Sequence, residues 1–325
     1  MREFSGLVKQ SVRRRAATLR LFVTGFSMGS ADLVPGVSGG TIALLFGIYE
    51  ELIHSIKIVS GKAPKLVLQG KIRKAVSVVP WAFLVPVGAG MMVALFSLAQ
   101  LLSHLLDNHP VFVWSFFFGL VAASVWVVGR RVGHWDVKAY GMLAVGAVAT
   151  YVLVGAVPVE TSTALPVFFV SGMIAIVAMI MPGISGSFIL VLIGKYAQVL
   201  DLVTNRDLMT LGVFTLGAVV GLALFSRVLS YMFQHHHTML MAFLTGVLLG
   251  SLRKVWPWKE TVETGLDRHG NEVPLVQANR LPAAFDGELA LAVGLLVVAV
   301  VLIVYLSRHE VPKEGVRKDI DGSPA

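Results

Sequence analysis

The chain has 325 residues, of which 56% are hydrophobic and only 14% are charged, and its formal net charge is +8. A soluble domain carries about 25% charged residues, whereas residues 208–226 and 289–306 carry none. Each of these runs approaches the roughly 20 apolar residues that span a bilayer. The composition therefore excludes a soluble domain, and the absence of cysteine excludes disulfides, thiolate metal sites and a cysteine nucleophile.

The N-terminal stretch is basic, with Arg13, Arg14 and Arg15 in a row. A secretory signal would continue into an uninterrupted apolar core and a small-residue cleavage site, and neither is present. Residues 1–18 instead predict an amphipathic helix that lies at the membrane interface.

Eight apolar segments follow, and two of them are interrupted by a Pro-Gly pair. Three segments after each interrupted one are long enough to cross a membrane, which predicts an all-α polytopic membrane protein with a tail at 307–325. The segments are 19–53, broken at Pro35; 78–106; 110–129; 138–157; 165–200, broken at Pro182; 208–233; 238–255; and 286–306.

The positions of lysine and arginine indicate the orientation. Residues 1–20 carry six, 54–75 carry six, 129–138 carry three and 307–325 carry four, which is 19 of the 27. These four stretches fall on one side only if the two broken segments enter the membrane and return. The pattern therefore favours re-entrant hairpins, with both termini and the 54–75 connection in the cytoplasm.

The two halves of the chain are related in sequence. Residues 35–49, PGVSGGTIALLFGIY, align without gaps on residues 182–196, PGISGSFILVLIGKY, which lie 147 positions further on (182 − 35). Repeat 1, 19–157, and repeat 2, 165–306, each predict a hairpin followed by three crossing helices. Three crossings are an odd number, so the second copy enters from the opposite face, as in the inverted repeats of alternating-access carriers.

The chemistry of the two breaks explains why the hairpins turn. Proline ends the preceding helix, and Gly36 and Gly183 permit the dihedrals of a tight reversal. Ser38 and Ser185 then occupy N-cap positions, and the two tips would meet near the midplane. Backbone N–H groups at such tips suit an anion, above all a phosphate. The alternative is that the breaks serve only close helix packing.

A second motif match concerns hydrolysis. GVSG at 36–39 fits the Gly-x-Ser-Gly of intramembrane serine proteases, whose serine needs a base such as histidine inside the membrane. His104 and His109 flank a short connection, and the three histidines at 235–237 occupy a turn. The sequence therefore argues against this enzyme class, and it contains no recognisable metal, cofactor or nucleic-acid motif.

Ionisable residues within apolar segments are costly and are usually functional. Asp32, just before the first break, would either cap the hairpin or carry a proton or Na⁺. Glu50 and Glu51 either reach the cytoplasmic interface or contribute to ion coupling. Arg227 either binds a substrate phosphate or extends to the headgroups.

Three stretches carry a family resemblance: GSADLVPGVSGGT (29–41), GIYEEL (47–52) and MPGISGS (181–187) resemble the bacterial polyprenyl-phosphate transporter family. The resemblance covers roughly residues 20–306. It implies a protein of the bacterial cytoplasmic membrane that returns undecaprenyl phosphate from the outer to the cytoplasmic leaflet for the synthesis of peptidoglycan and other envelope polymers. A secondary transporter of a small anion is the alternative that the residues leave open.

The family motif can be carried over residue by residue. It falls on Asp32, Pro35, Gly36, Ser38, Gly39, Gly40 and Thr41, and on Pro182, Gly183, Ser185 and Gly186. Ser187 and Phe188 replace the Gly-Thr of the first copy, so the two half-sites need not contribute equally. The resemblance thus implies a polyprenyl phosphate as the partner, within a membrane of other lipids. The duplicated breaks place its binding site at both tips, and Asp32 gives H⁺ or Na⁺ as the expected coupling ion.

Overall fold

The computed structural model describes residues 2–34, 36–266, 272–282 and 284–308, and within them the chain is a bundle of helices with one small β-hairpin. A π-helical turn, Ile58–Lys62, follows the third helix. The elements are α1 Arg2–Asp32, α2 Gly39–Leu45, α3 Tyr49–Lys57, α4 Ala63–Leu68, α5 Ile72–Val78, α6 Trp81–Asn108, α7 Pro110–Gly129, α8 Val137–Val154, α9 Leu165–Ile180, α10 Gly186–Leu192, α11 Tyr196–Thr204, α12 Leu208–His235, α13 His237–Ser251, β1 Lys259–Leu266, β2 Glu272–Asn279 and α14 Gly287–Arg308.

The helices confirm the all-α polytopic class. Within the described ranges, α6, α7, α8, α12 and α14 are long and apolar enough to cross a membrane, and α10 with α11 makes a sixth span if that bent pair is counted as one. Two further apolar helices are shorter, α9 and α13. The segment predicted at 238–255 is therefore a helix of only 15 residues, and the chain leaves it at Ser251.

Local sequence signals set several helix starts. Asp136 precedes α8, and its carboxylate accepts a hydrogen bond from the N–H of Ala139 at 2.8 Å. Asp207 caps α12 in the same way through the N–H of Thr210 at 3.1 Å. Pro110 begins α7. The N–H groups of the first helical turn have no partner within the helix, so a proline there costs no hydrogen bond. At the N-terminus the helix runs unbroken from Arg2 to Asp32, so the stretch 1–18 and the first hairpin arm share one helix.

The two halves repeat the same elements at matching lengths. The helices α2 and α10 have seven residues each, α3 and α11 have nine, and α6 and α12 have 28. The first half has extra helical turns between α3 and α6, in the connection 58–78. The sequence repeat is therefore also a repeat in the order of secondary structure.

The apolar stretch after each break predicts a second arm that is one straight helix of about 15 residues. The structure instead divides each arm into two short helices, α2 and α3 in the first hairpin and α10 and α11 in the second. Gly47 and Gly194, with φ of 71° and 66°, end α2 and α10 after seven residues. Around Gly47 the N–H of Ile48 bonds the carbonyl of Ala43 at 3.0 Å, and the same Schellman pattern recurs at Gly194. The angle between α10 and α11 is 104°.

Helix packing entwines the two halves. The helix α1 packs on α6, and its repeat counterpart α9 packs on α12, whereas α7 packs on α14 and α8 packs on α13 from the other half. Glycines allow these close crossings: a Cβ on Gly25 would collide with the backbone of Val87, and one on Gly172 with that of Phe214. Neither half therefore forms a separate core.

The connection 256–285 is long and carries mixed charge, which predicts a loop, but it contains two antiparallel strands. The register runs from Lys259 opposite Asn279 to Leu266 opposite Glu272. Trp256 Nε1 donates to the carbonyl of Arg280 at 2.7 Å, which fixes the hairpin to the end of the helix bundle. This hairpin has no counterpart among the described elements of the first half.

Candidate functional site

The tips of the two helical hairpins touch each other. The hydroxyl of Ser38 lies 3.3 Å from the carbonyl oxygen of Met179 and 3.2 Å from that of Met181, at the end of α9. Tyr49, fully buried, donates from its hydroxyl to the carbonyl of Ile180 at 3.1 Å. The first hairpin therefore satisfies carbonyl groups that the proline at 182 leaves without helical partners.

A reciprocal bond runs in the other direction. The N–H of Gly183 donates to Thr41 Oγ1 at 2.9 Å, and Thr41 is completely buried. Gly40 is packed so tightly that a Cβ there would lie 2.6 Å from the carbonyl oxygen of Ile180. The Gly-Gly-Thr sequence of the first copy is therefore required for the contact between the tips.

Left-handed backbone turns shape both tips. Gly36 has φ of 87° and Gly183 has φ of 81°, a region that residues with a Cβ rarely adopt. Pro182 follows Met181, whose extended backbone ends α9. Pro35, named with them in the sequence motif, lies outside the described residues.

In the first hairpin, side chains accept hydrogen bonds from the backbone N–H groups at the start of α2. Asp32 Oδ1 accepts a hydrogen bond from Gly39 N at 2.6 Å, and Ser38 Oγ accepts one from Gly40 N at 3.1 Å. A Cβ on Gly39 would lie 2.6 Å from Asp32 Oδ2, so glycine is needed beside this carboxylate. Asp32 thus makes the hydrogen bond expected of a cap, one of the two roles that its sequence position left open.

The second hairpin has a different polar arrangement. Ser185 is the N-cap of α10, but its side chain makes no capping bond. Its hydroxyl instead lies 2.8 Å from the hydroxyl of Ser187. The position that matches Asp32 is Met179, so no carboxylate reaches this tip from its own hairpin. The two half-sites are therefore chemically unequal.

A cavity of about 200 Å³ lies between the tips. Both hairpins contribute to its wall, which includes one carboxylate and three hydroxyl side chains beside apolar ones. Its lining residues are Asp32, Ser38, Met179, Ile184, Ser185, Gly186 and Ser187. Sites for drug-sized ligands measure about 300–1,000 Å³, so this cavity fits a small polar group.

Three ionisable residues named from the sequence lie elsewhere. Arg227 is exposed on α12, and its guanidinium is 3.4 Å from the place that a Cβ on Gly61 would occupy. Glu50 Oε1 lies 3.2 Å from Nε2 of His237, at the start of α13. Glu51 follows in the first turn of α3. None of them is among the lining residues of the cavity, and all lie towards the basic connection 54–75.

One cation near the tips, Lys254, was not predicted from the sequence. The side chain of Lys254 packs on Gly36, so closely that a Cβ at position 36 would lie 2.8 Å from the Cγ of Lys254. Its amine lies 4.4 Å from the ring centroid of Phe188. Its position in the chain could have indicated a function. Lys254 follows α13 at the end away from the four basic stretches, where the positive-inside rule does not explain a lysine.

Comparisons with known proteins agree on one family. The Undecaprenyl phosphate translocase-like family matches residues 28–273. A protein of Vibrio cholerae named polyprenyl-phosphate transporter is 39% identical over 300 residues, which cover 90% of this chain and 96% of the relative. A Staphylococcus aureus protein of the same name is 33% identical over 253 residues, or 72% of this chain and 84% of the relative. No solved structure matches the chain.

Proposed function

Because this chain belongs to the Undecaprenyl phosphate translocase-like family, we propose that it carries polyprenyl phosphate across the bacterial cytoplasmic membrane. The transported lipid is undecaprenyl phosphate, returned from the outer to the cytoplasmic leaflet. The protein moves the lipid without chemical change, so it is a transporter and not an enzyme. The names of the relatives in Vibrio cholerae and Staphylococcus aureus support this substrate.

The observation that carries the proposal is the cavity between the hairpin tips. Its size suits a phosphate headgroup and not an isoprenoid chain, so the tail remains in the lipid while the headgroup passes. Hydroxyls of Ser38, Ser185 and Ser187 line it, and hydroxyls donate hydrogen bonds to phosphate oxygens. Gly186 brings the backbone close to the same space.

Alternating access is the mode of transport that the repeat supports. Both halves run through the same order of elements, and the four basic stretches fall on one side if the hairpins enter from opposite faces. Under this inverted repeat, the tips form the barrier between the two aqueous sides. Rocking of the entwined helix pairs would open the cavity first to one leaflet and then to the other.

Asp32 is the proposed coupling residue. A permanent carboxylate beside a phosphate would repel it, since both groups are anionic. Neutralisation of Asp32 by H⁺ or Na⁺ would remove this repulsion while the lipid is bound. Glu50 and Glu51 are the second candidates, and they would act at the cytoplasmic end. Arg227, on the same side, would receive the phosphate before its release.

Transport in proteoliposomes tests the proposal. Wild type should move a fluorescent polyprenyl phosphate between leaflets, and it should not move the corresponding polyprenol. A Ser185→Ala/Ser187→Ala variant should be at least tenfold slower, while Ser162→Ala, on the connection before α9, should transport normally. Uptake of inorganic phosphate without lipid movement would instead identify a small-anion transporter.

A further inference from the structure

Two lysines lie together where the chain leaves α13 and enters the β-hairpin. Lys259 Nζ donates to the carbonyl oxygen of Lys254 at 2.7 Å. The Lys259 amine also lies 3.8 Å from the ring centroid of Trp114, at the start of α7. The Lys254 amine lies over Phe188 at 4.4 Å. Both cations are therefore held against aromatic faces, which is an attractive arrangement. An ammonium group has three N–H donors, and Lys259 uses one of them on the Lys254 carbonyl.

The charge of this lysine pair is not balanced by nearby acids. Among the described side chains, neither lysine forms an ion pair, and the adjacent Glu260 is bound to Arg280. Burial and the charge of Lys254 lower the pKa of Lys259 to about 7. Two partly buried like charges destabilise each other unless an anion lies between them. The arrangement is therefore suited to an anionic ligand.

The pair adjoins the cavity between the tips. Lys254 packs on Gly36 in the first tip, and Phe188 directly follows Ser187, which lines the cavity. The first half does not have this feature. Residues 119–124, GLVAAS, align on residues 246–251, GVLLGS, and in this alignment Val127 matches Lys254. The lysines and the β-hairpin that carries Lys259 are thus additions to one half, and they lie on the outward side when the four basic stretches are cytoplasmic.

We propose that Lys254 and Lys259 form a phosphate-binding site that receives the lipid headgroup before it enters the cavity between the tips. This inference rests on the proposed function and specifies its outward-facing step. A phosphate monoester carries about −1.5 to −2 charges at neutral pH, which two ammonium groups can balance. The rings of Trp114 and Phe188 would contact the first isoprene units, which are apolar.

Binding to purified full-length protein in detergent tests this site. The probes are farnesyl phosphate, farnesol and inorganic phosphate, and the readout is tryptophan fluorescence, since Trp114 lies under Lys259. Lys254→Met and Lys259→Met should each weaken farnesyl phosphate binding at least tenfold and leave farnesol binding unchanged. Lys254→Arg should retain most of the affinity. Lys138→Met, at an exposed site in the first turn of α8, is the matched control, and thermal unfolding of each variant verifies folding.

The outcomes separate this inference from the function on which it rests. If both lysine variants bind and transport polyprenyl phosphate like Lys138→Met, the reception site is refuted and the transporter stands. If wild type binds inorganic phosphate through these lysines but moves no lipid, the anion site stands and the lipid function fails. Equal affinity of wild type for farnesyl phosphate and farnesol would overturn the site, because its lysines would then recognise no phosphate.

Discussion

Ser38 Oγ lies 3.2 Å from the carbonyl oxygen of Met181, although the two residues are 143 positions apart in the chain. The same hydroxyl accepts the N–H of Gly40 within its own hairpin. One side chain therefore joins the start of a helix in the first half to the end of a helix in the second. Any transport step that opens the tips has to break this bond, which makes the tip contact the place where mutations should act most strongly.

Gly40→Ala should destabilise the protein by about 1–3 kcal/mol, because its Cβ would lie 2.6 Å from the carbonyl oxygen of Ile180 and overpacking costs about that much. Gly212→Ala, in α12, provides the control. A Cβ there meets nothing within 4 Å, so the change should be neutral or stabilise the helix. Thermal unfolding in detergent measures both, and equal midpoints would show that the tips have room to adjust.

Asp32→Asn should fold normally but lose the response of transport to an ion gradient. The amide oxygen can still accept the hydrogen bond from Gly39, whereas the side chain can no longer bind or release a proton. Asp32→Ala should lose both the cap and the coupling. Lipid movement in liposomes, with pH and sodium gradients imposed separately, measures the effect. An unchanged gradient response in Asp32→Asn would assign Asp32 to a structural cap alone and direct attention to Glu50 and Glu51.

Arg227→Ala should slow release of the lipid on the cytoplasmic side, and Arg227→Lys should retain part of the activity because it keeps the positive charge. Arg206→Ala, at an exposed turn before α12, is the control. Transport measured from each leaflet in oriented liposomes reports the effect. Identical rates for wild type and Arg227→Ala would leave Arg227 with a role in anchoring to headgroups.

Lys259→Met should stabilise the protein at neutral and lower pH. Burial and the charge of Lys254 lower the pKa of Lys259 from 10.5 to about 7, so the unfolded chain binds more protons than the folded one between these values. Wild-type stability should therefore rise with pH over this window. The advantage of the variant should be largest below pH 7 and should vanish near pH 10. Unfolding midpoints between pH 6 and 10 test this, and a constant difference would contradict it.

The cysteine-free chain allows the orientation to be tested directly. Lys65→Cys, exposed on α4 in the basic connection, should be protected from an impermeant thiol reagent in intact cells. Thr261→Cys, exposed on β1, should react under the same conditions. The opposite labelling would refute the re-entrant arrangement, since 54–75 would then face outward.

Features that depend on neighbouring residues were readable from the sequence. The crossing segment predicted at 78–106 is the helix Trp81–Asn108, because long apolar runs and prolines act locally. The duplicated Pro-Gly breaks were also visible, since both glycines adopt the left-handed turn that such pairs favour. The membrane class and the position of the tips in the chain follow from these signals alone.

Features that depend on contacts between distant parts of the chain were decided only by the tertiary structure. The residues around Lys254 in the sequence do not indicate that Gly36 and Phe188 are its neighbours. Gly36 belongs to the first helical hairpin and Phe188 to the second, and both are far from Lys254 along the chain. The strand pairing of Lys259 with Asn279 lay in a stretch with too few apolar residues to reveal it. Arg227 is another example, because a charged residue within an apolar helix suggests a buried functional group. The packing of α12 on α3 instead leaves Arg227 exposed beside Gly61. The sequence determined where the chain breaks, and the packing of the two halves determined which charges lie beside the breaks.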